Sequence, residues 1–297
     1  MHLDGIDHIT GITGDGQRCL DFYAGILGFA FIGREQDFEA PDSHLIRLGH
    51  QPDRPGGILA FIEAPGVPRG RAGNGMPHLL RWSVRVPAAL DYWAGRLSEA
   101  GLAVRRLEGE AGGVLRFADP EGLEHELAVE RAGVGPGLAL GSSAIPHQHA
   151  IVRLAGLRAY GRESVPSADI LAGRLGFQVT APESYSVGGG RHRAEFAFDA
   201  PPHERGRLGA GTVHHVAWAT DGALPAWRQR VIGMGCRATP VIDRGPGHSI
   251  YFREPSGVLF EVTAPSDALG TNAADAGTTG RRLSPKVDPR VHAGALD

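Results

Sequence analysis

Residues 69–75 read Arg69-Gly70-Arg71-Ala72-Gly73-Asn74-Gly75. Residues 205–211, 136 positions later, read Arg205-Gly206-Arg207-Leu208-Gly209-Ala210-Gly211. An apolar, strand-like run precedes each copy (Ile58 to Ile62, Ala194 to Phe198), and another follows (Leu79 to Val86, Val213 to Ala219). A second pair, Asp119-Pro120-Glu121-Gly122-Leu123 and Glu254-Pro255-Ser256-Gly257-Val258, recurs after 135 positions. A nearly constant offset between matched segments is the mark of a duplicated chain, and repeats of this kind decide the architecture before any single element does.

Each half divides again. Cys19 to Leu27, Ala89 to Ala100, Ala168 to Leu175 and Leu224 to Met234 have helical spacing of apolar residues. Three of them run into Gly28-Phe29, Gly101-Leu102 and Gly176-Phe177, a helix stop followed by a strand, and the fourth ends at Gly235-Cys236. One strand-like run precedes each helix and about three follow it. The predicted unit is therefore βαβββ, four times over, at about 3–65, 76–131, 145–200 and 212–264, in an α+β fold. A unit of this size cannot cover a sheet face alone, so the units must pair. Residues 1–131 carry modules 1 and 2, and 132–144, rich in Gly, Ala and Ser, form a linker. Residues 145–264 carry modules 3 and 4. From 265 to 297 the chain loses aromatic residues and periodicity; it reads as a mobile tail, or as a clamp onto a partner subunit.

Composition excludes several classes. The 297 residues carry 30 Lys+Arg against 33 Asp+Glu, a net charge of −3, so no basic face for a nucleic acid is implied. No apolar run is long enough to span a membrane, and Met1-His2-Leu3-Asp4-Gly5-Ile6-Asp7 lacks a signal-peptide pattern. The two cysteines, Cys19 and Cys236, suit a reducing cytoplasm. The 44 glycines and 21 prolines fit many short strands joined by turns. The unusual feature is 14 histidines, since imidazole is both a metal ligand and a proton carrier at neutral pH.

Comparing the repeats sorts those histidines. Val213-His214-His215-Val216-Ala217-Trp218 matches Pro77-His78-Leu79-Leu80-Arg81-Trp82, so His214 has a counterpart in His78 while Leu79 replaces His215. Glu261 matches Glu126, each in an otherwise apolar strand where a bare carboxylate is costly to bury. A metal would remove that cost for Glu261. For Glu126, without a partner histidine, the expectation is a salt bridge or a relic. A third ligand would come from the first strand of another unit, where His8, His147 and His149 are the candidates. Two imidazoles and a carboxylate form the facial set that suits Fe(II) and leaves positions open for substrate and dioxygen.

At this point the chain resembles the vicinal oxygen chelate superfamily (glyoxalase, bleomycin-resistance proteins, extradiol dioxygenases), and within it the hydroquinone-type ring-cleaving dioxygenases. The segments that carry the resemblance are Asp7-His8-Ile9-Thr10, Asp21-Phe22-Tyr23, Pro68-Arg69-Gly70-Arg71, Gly211-Thr212-Val213-His214-His215-Val216-Ala217, Asp243-Arg244, and Ser249-Ile250-Tyr251-Phe252-Arg253-Glu254-Pro255 through Phe260-Glu261. The resemblance implies two open, strongly curved mixed β-sheet barrels with helices outside. It implies Fe(II), or Mn(II), held by His8, His215 and Glu261, which pairs the first module with the fourth and favours His8 over His149. It further implies that Arg244 neutralises substrate charge, that Tyr251 hydrogen-bonds the substrate, and that His214 and Thr10 flank the ligands.

The expected partners are a small aromatic substrate and dioxygen, with neither nucleic acid nor membrane; a homodimer is compatible with the sequence. Two strand arguments bear on these roles. Tyr251 and Glu261 share a face only if the loop between their strands has an odd residue count. Adjacent strand residues alternate, so His214 should point away from His215 unless a twist, bulge or water intervenes. One departure concerns specificity: relatives that act on hydroquinones carry histidine before the first metal histidine, and here that residue is Asp7. Two other readings of the same residues are a glyoxalase-type isomerase or lyase, which needs a second carboxylate ligand, and a sequestering protein without chemistry.

Overall fold

The computed structural model describes residues 1–36, 43–49, 57–109, 112–130, 145–161, 165–244 and 247–265. Module 1 runs β1 (Gly5–Thr13), α1 (Gly16–Leu20) with a π-helical continuation (Asp21–Ile26), β2 (Phe31–Gln36), β3 (His44–Gly49) and β4 (Ile58–Glu63). Module 2 is β5 (Met76–Val84), α2 (Pro87–Glu99), β6 (Arg105–Leu107), β7 (Val114–Ala118) and β8 (Glu124–Val129). Module 3 is β9 (Ile151–Tyr160), α3 (Val165–Gly173), β10 (Gln178–Ala181), β11 (Ser184–Val187) and β12 (Ala194–Asp199). Module 4 is β13 (Thr212–Ala219), α4 (Leu224–Gly233), β14 (Ile242–Asp243), β15 (Gly247–Arg253) and β16 (Leu259–Pro265). The βαβββ pattern read from the repeats is thus present four times. The segment read as a linker, 132–144, and the tail beyond Pro265 lie outside the described residues.

The helix ends follow from their sequences. Asp15 caps α1 by accepting from the Arg18 amide, and a proline stands in the first turn of α2 and of α4, where its missing N–H costs nothing. The glycine that follows each helix (Gly28, Gly101, Gly176, Gly235) has φ between 75° and 82°, a region closed to most side chains, and the chain leaves the helix there.

The strands form two eight-stranded mixed sheets, one a strongly curled half-barrel. Their orders are β14-β15-β16-β13-β1-β4-β3-β2 and β10-β11-β12-β9-β5-β8-β7-β6. The first sheet therefore joins modules 1 and 4 along β1 and β13, and the second joins modules 2 and 3 along β5 and β9. Each sheet draws on both sequence halves. α2 lies against β5, β7 and β8, and α4 against β15 and β16. Trp82, Trp93, Trp218 and Trp227 are fully buried in the resulting core.

The repeated Arg-Gly segments are the straps between the sheets, and they cross each other. Arg71 and Arg207 exchange backbone hydrogen bonds of 2.8 Å in both directions. A Cβ on Gly73 would stand 2.3 Å from the Gly206 amide nitrogen, and one on Gly206 would stand 2.9 Å from that of Gly73. Only glycine permits that approach at both positions.

Candidate metal centre and active site

The site lies on one face of the first sheet. Register places His8 of β1 opposite Ala217 of β13, Ala217 opposite Glu261 of β16, and Glu261 opposite Tyr251 of β15. Strands stand about 4.8 Å apart, so His8 and Glu261 are two strands from each other. The small, fully buried Ala217 between them leaves the space over which they converge. His215 is two residues along β13 from Ala217, hence on the same face, and its register partner is the buried Thr10. Five residues, 254–258, separate Arg253 from its partner Leu259, an odd loop that sets Tyr251 and Glu261 on one face.

Three ligand-type atoms meet as a result. His215 Nε2 lies 3.0 Å and His8 Nε2 3.5 Å from Glu261 Oε2, and ligand atoms of the three residues all fall within 4.8 Å of one another. The other polar atom of each residue is already engaged. His8 Nδ1 is 2.7 Å from Asp7 Oδ1, His215 Nδ1 is 2.8 Å from His214 Nδ1, and Glu261 Oε1 accepts from the Ser249 hydroxyl. His215 Nε2 and Glu261 Oε2, both buried, face each other at 3.0 Å without good hydrogen-bond geometry, and neither has another hydrogen-bond partner. Buried polar atoms are rarely left so. A divalent cation fits this donor set: two imidazole nitrogens and one carboxylate oxygen, aimed at one point by their outer contacts.

The expectation that His214 points away from His215 is corrected by a β-bulge. Thr10 pairs with His215 but Gly11 pairs with Val213, so His214 is the extra residue of a bulge in β13. The strict alternation of the strand is broken there, and His214 stays beside His215. A second bulge does the same for Asp7, since Ile6 pairs with Trp218 and His8 with Ala217.

Burial and charge oppose each other at the site. Burial disfavours a charged His8, but Glu261 and Asp7 outweigh it and raise its pKa to about 10. Burial lowers the His215 pKa, with Glu261 opposing. Glu261, despite burial, is held well below the usual carboxylate range by His8 and His215. Burial, with the Glu261 charge, pushes the Tyr251 phenol well above its ordinary value, so it remains a donor. Arg244 donates to Tyr251 Oη at 3.1 Å and its guanidinium lies 5.2 Å from the ring centre. The Tyr251 ring meets His215 edge-on at 5.4 Å.

Arg244, Tyr251, His214 and Thr10 thus surround the three candidate ligands. His149 does not: it precedes β9 of the second sheet, with its ring stacked on Tyr92 at 4.6 Å. Ser249 was not singled out from sequence. Its signal was its spacing, two residues before Tyr251 on the same strand face.

Glu126 is satisfied without metal. Arg81 Nε lies 3.1 Å from Oε1 and Arg116 Nε donates to Oε2 at 2.8 Å. This is the salt bridge that the missing histidine led us to expect.

Comparison with known proteins agrees with the fold. A family model described as the Glyoxalase/Bleomycin resistance protein/Dioxygenase superfamily matches residues 5–127. The "Putative ring-cleaving dioxygenase MhqO" of Bacillus subtilis (strain 168) is 30% identical, with 97% of this chain and 93% of the relative covered. The chain belongs to this superfamily. The "Putative ring-cleaving dioxygenase" proteins MhqA and MhqE of the same organism are 28% and 29% identical, each over 94% of the chain and 93% of the relative. A crystal structure titled as a putative dioxygenase from Bacillus subtilis superposes with a TM-score of 0.79 at 27% identity, covering 89% of this chain and 86% of that one. Glyoxalase I from Zea mays shares the fold alone, with a TM-score of 0.64 at 15% identity over 88% and 92% of the two chains.

Proposed function

We propose that the protein is an Fe(II)-dependent ring-cleaving dioxygenase acting on a hydroquinone or a related phenolic ring. The observation that carries this reading is the convergence of His8, His215 and Glu261, whose ligand-type atoms all lie within 4.8 Å of one another. The naming of the relatives as ring-cleaving dioxygenases supports the reaction class. A bound Fe(II) would supply Lewis acidity toward a phenol and a redox partner for dioxygen; Mn(II) suits the same donors.

The chain's own residues have separable tasks in this reading. Tyr251, kept protonated, offers a hydrogen bond to a substrate oxygen. Arg244, against the Tyr251 ring and hydroxyl, supplies a fixed positive charge for a substrate that becomes anionic. His214 and Asp7 orient the two imidazoles, Ser249 orients the carboxylate, and Thr10 packs beside His215 as its partner on the neighbouring strand. Burial strengthens the interactions of Tyr251, His214 and Ser249. The reading takes a small aromatic substrate and dioxygen as partners, with no nucleic acid or membrane, and a cytoplasmic location. Among the described residues no helix is long and apolar enough to cross a membrane.

A glyoxalase-type reaction is less well supported, because the group holds one carboxylate and the nearby Asp7 is turned to the outer nitrogen of His8. The test is oxygen uptake by anaerobically purified, Fe(II)-loaded protein on a panel of hydroquinones and catechols. Oxygen consumption with loss of the aromatic absorbance is expected. Bound metal without oxygen uptake on any phenol would favour an isomerase or lyase, and absence of metal would favour sequestration.

A further inference from the structure

We propose that Asp7 is a positioning residue of the metal centre: through its contact with His8 Nδ1 it holds that ring with Nε2 aimed at the ion, and it adds a negative charge to the site. This rests on the reading of His8, His215 and Glu261 as metal ligands. The contact, 2.7 Å from Asp7 Oδ1, accepts the Nδ1 proton and leaves Nε2 as the one atom free to ligate. A carboxylate behind an imidazole also makes the ring a stronger donor.

The second sheet shows that the bulge itself does not require this residue. There Trp82 pairs with Leu154 and Arg81 with Gly156, so Ala155 is the extra residue of an equivalent bulge. Asp7-His8 in the first sheet thus stands where Ala155-Gly156 stands in the second. The fold keeps its irregularity with the two smallest side chains, and the carboxylate appears only where a histidine faces Glu261. The other bulge differs less between the sheets: His214-His215 corresponds to His78-Leu79, and the extra histidine remains when the ligand is lost. There His78 contacts Asp199 at 2.9 Å and stacks on Tyr160 at 3.9 Å. A histidine at that bulge therefore has uses unrelated to metal, whereas Asp7 tracks the ligand. The two ligand imidazoles are also backed unequally, His8 by a carboxylate and His215 by a second imidazole, so their arms should contribute unequally to affinity.

The test is Mn(II) binding to the apo full-length chain, read from the loss of the free-ion electron paramagnetic resonance signal, for wild type, Asp7→Ala, Asp7→Asn and His214→Ala. Asp7→Ala is expected to weaken binding about 10- to 100-fold. Asp7→Asn, which keeps an acceptor but not the charge, should fall between, and His214→Ala should lose less than Asp7→Ala. Apo circular dichroism and Tm should be unchanged for Asp7→Ala. Binding by a folded Asp7→Ala within about twofold of wild type would overturn the proposal and leave the metal site standing. If Asp7→Ala does not fold, Asp7→Asn decides by the same criterion. A wild-type chain that takes up neither Mn(II) nor Fe(II) would remove the metal site and this role together.

Discussion

The two sheets place a glutamate at the same point of the same register and satisfy it in opposite ways. In the first, the row across four strands is His8, Ala217, Glu261, Tyr251; in the second it is Gly156, Arg81, Glu126, Arg116. Both glutamates are buried, and a buried carboxylate needs a cation. In the second sheet Arg81 and Arg116 supply it from neighbouring strands, and Arg81 also donates to Glu195 Oε2 at 2.9 Å. In the first sheet the arginine positions hold alanine and tyrosine, and the Nε2 atoms of His215 and His8 approach Glu261 Oε2 instead, at 3.0 and 3.5 Å. One duplicated surface thus became a permanent ion-pair network on one side and an open metal-type site on the other. The residue at the Ala217/Arg81 position decides most of the difference, because its size and charge determine whether anything can stand between the first and third strands of the row.

The comparison can be broken most sharply by moving one residue across it. Ala217→Arg should pair its guanidinium with Glu261, fill the gap and abolish metal binding while the chain stays folded. Metal analysis with circular dichroism checks this, and a variant that still binds one ion would show that Ala217 does not keep the site open. The reverse change, Arg81→Ala, leaves Glu126 with Arg116 alone. It should cost about 2 kcal/mol in denaturant unfolding, within the range for an impaired buried pair, and should create no metal site because Gly156 and Leu79 offer no ligand. Ser249→Ala should weaken metal binding about tenfold by freeing Glu261 Oε1, with little change in apo stability. An unchanged affinity would show that the hydroxyl does not orient the carboxylate.

A smaller effect should arise on the module 1–module 2 side. Trp82 Nε1 donates to His125 Nδ1 at 3.0 Å, which leaves Nε2–H to face Tyr23 Oη at 3.0 Å, and Tyr23 donates to Asp119 at 2.9 Å. Burial lowers the His125 pKa to about 3, so the folded state keeps the ring neutral. The contribution is whole above the unfolded value near 6.5 and is lost as pH falls from there toward 3. Stability should drop by about 1 kcal/mol between pH 6.5 and 5.5 from this group. His125→Gln should flatten that part of the profile; an identical slope would assign it elsewhere.

Much of this contrast was legible in the sequence. The 135- and 136-residue offsets exposed the duplication, the Gly-apolar stops bounded the helices, and the substitution of Leu79 for His215 marked Glu126 as a carboxylate without a histidine partner. What could not be read was lateral. Which modules share a sheet depends on pairings between β1 and β13 that no spacing along the chain encodes; the association of His8 with the fourth module came from family resemblance. The bulges at Asp7 and His214 were equally hidden, because each is defined by a residue missing from the facing strand. Strict alternation consequently turned His214 the wrong way. Ala217 passed unnoticed since its role is to be small between two strands that only the fold makes neighbours.

In our reading one of the two glutamate rows holds a metal and the other does not. The direct measurement is metal content per chain, by elemental analysis of anaerobically loaded protein, for wild type, Glu261→Gln and Glu126→Gln. One divalent ion is expected in wild type, none in Glu261→Gln, and one retained in a folded Glu126→Gln. Two ions in wild type, an ion retained by Glu261→Gln, or an ion lost from folded Glu126→Gln would contradict it.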